Sequence, residues 1–146
     1  MVVFFEVTWF IEVMGASRNS AVMPAILLAF TAAVIMKCFC FDFIITEGRS
    51  MVPAIQNGSL LFVNRLAYGF KPPFMTTYLV RWGEPHEGDV LIFWTPLGEL
   101  AVKRCAELTY DGKFFALGDN EPASFDSRSY GHVPVDNIIG KAVGIK

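Results

Sequence analysis

The rhythm of apolar and polar positions changes once along this chain, near residue 45. From Ala21 to Met36 the run AVMPAILLAFTAAVIM carries no charge. After Lys37 apolar residues continue through CFCF and FII to Ile45, broken only by Asp42. At 1.5 Å of rise per residue this run is long enough to cross a hydrocarbon core of about 30 Å. Ser20 can cap its start, Pro24 falls in the tolerated first turn, and Lys37 can snorkel toward the far interface. The pattern predicts one transmembrane helix over 21–45.

Residues 1–20 precede it as MVVFFEVTWFIEVMGASRNS, apolar but short and interrupted by Glu6 and Glu12. They read as a cytoplasmic or interfacial segment, with a two-span hairpin as the alternative. A cleaved leader needs a basic start and a small-x-small exit, and neither is present. Arg18 on one side and Lys37, Arg49 and Arg65 on the other leave the orientation open by charge alone.

Beyond Ile45 the apolar runs become short and are separated by Gly, Pro, Asn and Asp: SLLFV, GFKPPF, DVLIFW, ELAVKRC, KFFAL and DNIIGKAVGI. Short runs at this spacing, with no long segment of helical period, predict an all-β domain over 46–146. Asp111-Gly112 between two strand-like runs predicts a two-residue type I′ hairpin. In that register Lys103 lies opposite Asn120. Alternation puts Ala101, Lys103 and Cys105 on one face of their strand and Leu100, Val102 and Arg104 on the other.

Composition narrows the class. The 146 residues are 53% hydrophobic and 18% charged, with a net charge of -2, so the basic footprint of a nucleic-acid partner is missing. Cys38, Cys40 and Cys105 are odd in number, and two of them lie in the apolar run, which argues for structural thiols rather than a disulfide framework. His86 and His132 have no partner at ligand spacing, so no metal is expected. No cofactor is expected either.

A lysine in an apolar setting loses hydration of its charged form, and the neutral amine can then deprotonate a serine. Four stretches give this chemistry a cast: SMVP at Ser50 to Pro53, GDVLIFW at Gly88 to Trp94, VKR at Val102 to Arg104, and LGDNEPASFDSRSYGHVP at Leu117 to Pro134. In that order, and with the closing NIIGKAV, they resemble bacterial signal peptidase I, a family of membrane-bound serine proteases.

The resemblance implies Ser50 as acylating nucleophile and Lys103 as its general base, with the hydroxyl of Ser124 orienting the lysine amine. Asp126 and Arg128 match an ion pair that braces the site, and Asn120 belongs to the same supporting segment. The Ser50 backbone N–H is the expected oxyanion donor. Some relatives add a hydroxyl two residues before the nucleophile; here that position is Gly48, leaving the backbone, Thr46 or a loop to serve. Ile44, Thr46, Met51, Ile55 and Val102 match pocket positions for small substrate residues, in the Ala-x-Ala pattern of secretory preproteins. The substrate would lie extended along a sheet edge.

The same resemblance implies a single-pass protein of the cytoplasmic membrane, with the lipid bilayer as partner and the catalytic domain on the extracytoplasmic face. Phe70, Pro72, Pro73, Phe74 and Met75 form an apolar loop suited to an interface, or to an ordinary core turn. The chain departs from the family pattern after Val102-Lys103-Arg104, where CAELTYDGKFF replaces the usual glycine- and proline-containing run and leaves no room for the large insertion of some relatives. The β domain is therefore expected to be minimal. Glu121 also stands where a basic residue is usual. Alternatives are a Ser/His hydrolase built from Ser50, His132 and Asp136 or Asp126, a peptidase dedicated to a pilin precursor in conjugative transfer, and a membrane-tethered module that binds peptides without cutting them.

Overall fold

The structure, a computed structural model, describes residues 22–144, and the expected segment 1–20 lies outside the described residues. Residues 37–144 form a compact unit. Helix α1 spans Val22–Phe39. Lys37 in its last turn is its one charged residue, and Leu27, Leu28 and Phe30 are exposed. At 18 residues it is about 27 Å long. Among the described residues no helix is long and apolar enough to cross a membrane.

The expected helix over 21–45 is corrected at its C-terminal end. α1 stops at Phe39, and Phe41–Ile45 form strand β1. An apolar run does not by itself distinguish helix from strand, and tertiary pairing decides here. β1 pairs antiparallel with β2, Leu60–Asn64. Phe62 then stacks on Phe41 with centroids 5.0 Å apart and meets Phe43 at 5.2 Å. Asp42, which has no place in an apolar helix, pairs with Arg65 at 3.3 Å.

The remaining strands are β3 (Gly69–Phe70), β4 (Val80–Arg81), β5 (Val90–Trp94), β6 (Leu100–Leu108), β7 (Lys113–Leu117), β8 (Val133–Pro134) and β9 (Ile138–Ala142). A one-turn helix α2, Ser127–Tyr130, lies between β7 and β8. Seven strands form one sheet in the order β1-β2-β9-β5-β6-β7-β8, with every pair antiparallel; β3 and β4 make a separate ribbon. The expected all-β domain is thus present as a mostly β fold.

Val90 to Phe93 of β5 are buried on both faces, which explains the unbroken apolar run there. Leu91 and Phe93 join Tyr68, Cys105, Phe114 and Ile138 in one core cluster, where Phe93 meets Phe114 edge to face at 5.0 Å. Val90 and Ile92 join Met51, Ile55, Leu61 and Val63 in the other. The second cluster matters for chemistry, because Met51 and Ile55 anchor the loop that carries Ser50.

The β6–β7 hairpin differs from the expected register. Thr109 N–H donates to Lys113 O at 2.7 Å, so the loop holds Tyr110, Asp111 and Gly112. A type I′ turn needs positive φ at both central residues, and here only Gly112 has it, at 74°. A bulge between Cys105 and Glu107 shifts the pairing again, so that Arg104 faces Leu117. Continued by one residue, the register sets Lys103 opposite Gly118 rather than Asn120.

Candidate active site

Ser50 sits in a loop closed at its neck. Thr46 N–H donates to Ser59 O at 2.9 Å, and Gly58 N–H donates back to Thr46 O at 2.8 Å. The Thr46 hydroxyl donates inward to Gln56 O at 3.0 Å. Gly48, with φ of 93°, holds a left-handed conformation suited to glycine, and its N–H donates to Asn57 Oδ1 at 2.9 Å. Inside the loop Ile55 N–H donates to Met51 O at 2.8 Å, and both side chains are buried. The nucleophile candidate therefore rides on a loop nailed into the core beside it.

Lys103 comes to the same point from β6. Its Nζ lies 2.7 Å from Ser50 Oγ, across 53 residues of sequence. The side chain is only 7% exposed, and burial pushes its pKa below the ordinary lysine value, against the opposing charge of Asp126. A lysine held this way can accept the serine proton, which an exposed lysine at neutral pH cannot.

Gly118, Asp119 and Asn120 each do something separate. A Cβ on Gly118 would lie 2.1 Å from Ser124 Oγ and 2.6 Å from Ser50 O, so only glycine lets these segments meet. Asp119 takes Arg104 in a two-pronged pair at 2.8 and 2.7 Å, and Arg104 also donates to Gly88 O at 2.8 Å. Asn120 donates its backbone N–H to Ser50 O at 2.9 Å and its side-chain amide to Arg49 O at 3.0 Å. Sequence reasoning missed Arg104 and Asp119, although both lie in the quoted VKR and GDN stretches.

Asp126 is fully buried. Burial opposes its ionisation, yet Arg128 at 2.9 and 2.7 Å, Gly118 N–H at 3.0 Å and the Ser124 hydroxyl at 2.6 Å outweigh it, holding the carboxyl well below the usual range. Asp126 also caps α2 by accepting from Arg128 N–H. The Ser124 hydroxyl donates to this carboxylate, which leaves its oxygen lone pairs able to accept from the lysine amine. Glu121 pairs with the outer side of Arg128, so the acidic residue in a basic position finds its own partner.

Around Ser50 and Lys103 opens a cleft of about 480 Å³. All five expected pocket residues, Ile44, Thr46, Met51, Ile55 and Val102, line it. Thr95, Glu99, Ala123 and Phe125 line it too and were not foreseen. Among the described residues no acceptor takes the Ser50 N–H, which leaves it free for an oxyanion. The Gly48 N–H and the Thr46 hydroxyl are already engaged. His132 lies against Phe115 at 5.0 Å and does not line the cleft, nor does Asp136.

Comparison with known proteins agrees with this geometry. The family model described as "Signal peptidase, peptidase S26" matches residues 19–109 and 107–145. Signal peptidase I of Bacillus caldolyticus is 26% identical over 78% of this chain and 84% of its own length. Probable signal peptidase I-1 of Synechocystis is 24% identical over 83% and 79%. Signal peptidase I of Leptolyngbya laminosa is 28% identical over 80% and 73%. The family match takes in both strands of the cleft, the serine loop and the GDN segment, and the chain belongs to the signal peptidase family, peptidase S26, whose members are serine proteases.

Proposed function

We propose that Ser50 is the nucleophile and Lys103 the general base of an endopeptidase that removes signal peptides from secretory preproteins after the Ala-x-Ala pattern. The observation that carries this reading is the 2.7 Å contact between Ser50 Oγ and the buried Lys103 Nζ. Neutral Lys103 takes the proton as Oγ attacks the scissile carbonyl, and the Ser50 N–H stabilises the oxyanion. Lys103 then gives the proton to the departing amine, leaving an acyl-enzyme. Water activated by the same amine releases the signal peptide.

Recognition by strand addition is supported by two open edges in the cleft. Among the described residues β1 pairs only with β2, and residues 100–102 of β6 pair only with β5. Small substrate residues suit the shallow floor made by Ile44, Met51, Ile55 and Val102.

For localisation we propose a cytoplasmic-membrane protein with its β domain on the extracytoplasmic face. The exposed surface of α1, apolar except for Lys37 in its last turn, supports burial in lipid, with Ala21 continuing the uncharged run in the sequence. Phe74 at the tip of the loop after β3 is 78% exposed and suits the bilayer interface.

The decisive experiment is cleavage of a preprotein ending in Ala-x-Ala by wild type, Ser50→Ala and Lys103→Ala. Cleavage by wild type alone is expected. Equal activity in all three would overturn the reading.

A further inference from the structure

The open edge of β6 ends at the chemistry. Leu100, Ala101 and Val102 pair with Trp94, Phe93 and Ile92 on one side, whereas β7 begins to pair on the other side only at Arg104, opposite Leu117. A peptide added to the free edge at 100–102 therefore lies in line with β7. Its residues before the scissile bond have a strand to pair with. The residue after the bond does not, because the chain beyond Leu117 occupies that line. There it meets the segment that returns to the cleft through Ala123 and Phe125.

Phe125 is unusual on this wall. Its ring is 56% exposed, although the residue that follows it, Asp126, is fully buried and holds Ser124 at 2.6 Å. The ring leans on Tyr130, with centroids 5.7 Å apart and planes at 62°. A large aromatic face held on an anchored backbone at the rim of a cleft is a preformed apolar contact surface.

We infer that Phe125 forms the wall of the leaving-group subsite and selects an apolar side chain in the residue directly after the scissile bond. This rests on the reading of Ser50 and Lys103 given above. The selection is independent of the small-residue pockets proposed along Ile44, Met51, Ile55 and Val102.

The test uses the full chain in detergent and two preproteins with the same Ala-x-Ala site, followed by Leu in one and Asn in the other, two side chains of similar size. Wild type is expected to favour Leu by about tenfold in kcat/KM, the low end of what an apolar pocket discriminates. Phe125→Ala brings that ratio near one, and Phe125→Leu restores most of it. The ratio does not depend on the fraction of enzyme that folds. A wild-type ratio near one overturns the inference. So does an equal loss on both substrates in Phe125→Ala, which marks a structural role. A defect seen only with lipid vesicles and equal for both substrates also overturns it, because Phe125 would then be meeting lipid. Wild type that cuts neither preprotein, with folding verified, removes the proposed function and this inference together; wild type that cuts without preference removes only the inference.

Discussion

Gly118 and Ser124 approach so closely that a single methyl group on the glycine would fall 2.1 Å from the serine Oγ. The same methyl would collide with the Ser50 carbonyl at 2.6 Å, and a backbone oxygen cannot rotate away. Gly118→Ala must therefore push the Ser50 loop and the Ser124 segment apart. Overpacking of this kind costs about 1–3 kcal/mol. The expected outcome is a lower melting temperature together with loss of at least about a hundredfold in kcat, since a misplacement of about 1 Å has that effect. Wild-type turnover in a folded Gly118→Ala protein would mean that the close approach is unnecessary.

Asn120 holds two successive carbonyls, those of Arg49 and Ser50, and so fixes the peptide plane whose N–H is the proposed oxyanion donor. Asn120→Ala keeps the backbone bond to Ser50 O but loses the side-chain bond to Arg49 O. A neutral hydrogen bond contributes about 0.5–1.5 kcal/mol to stability, so the fold should survive. Activity is expected to fall mainly through kcat, by about tenfold or more, with KM little changed, because the lost contact orients the reacting loop rather than the substrate. Steady-state kinetics on one preprotein separates these, and a change confined to KM would place Asn120 in substrate binding.

How much of this was legible beforehand differs between elements for physical reasons. Ser50 and Lys103 were readable because each lies in a local motif, and the short runs around Leu61, Ile92 and Ala116 mark strands by pattern alone. The end of α1 was not readable, since FDFII suits a helix or a strand until β2 pairs with it. The Arg104–Asp119 pair was missed because it spans 15 residues through a hairpin whose register depends on two details. One is the φ of Asp111, which is not positive; the other is the bulge beyond Cys105. Neither is encoded by an apolar pattern. Ser124 stands out in the ASFDSR stretch, but the acceptor of its hydroxyl, the buried carboxylate of Asp126, is a tertiary fact.

Asp126 gathers bonds that leave orphans if it is removed. In Asp126→Ala the Gly118 N–H and Ser124 hydroxyl lose their acceptor, at about 1–3 kcal/mol for each buried group left unpaired. The cost should depend on pH with a definite sign. The folded carboxyl titrates below its unfolded counterpart, so its contribution is complete above the usual carboxylate value and is lost as pH falls through the folded value. Urea melts of wild type and Asp126→Ala should therefore differ most near neutrality and converge in strong acid. A gap independent of pH would show that Asp126 acts by shape rather than charge.

Lys103 carries the opposite linkage. Burial depresses its folded pKa, so between that value and the ordinary lysine value the unfolded chain binds the extra proton. In that window wild-type stability rises with pH, and below it the folded state bears a charge it is poorly built to solvate. Lys103→Met, of similar length and without charge, is expected to abolish cleavage and yet raise the melting temperature at neutral pH, as expected where activity requires a destabilising group. Lys103→Arg should also be inactive, because a guanidinium does not give up its proton. In wild type kcat/KM should fall about tenfold per pH unit below the folded lysine pKa, reporting the amine that must be neutral to take the Ser50 proton. Calorimetry of Lys103→Met beside a pH–rate profile of wild type checks both halves. A less stable Lys103→Met protein would mean that the lysine is structural, and a rate insensitive to pH down to the carboxylate range would remove it as the base.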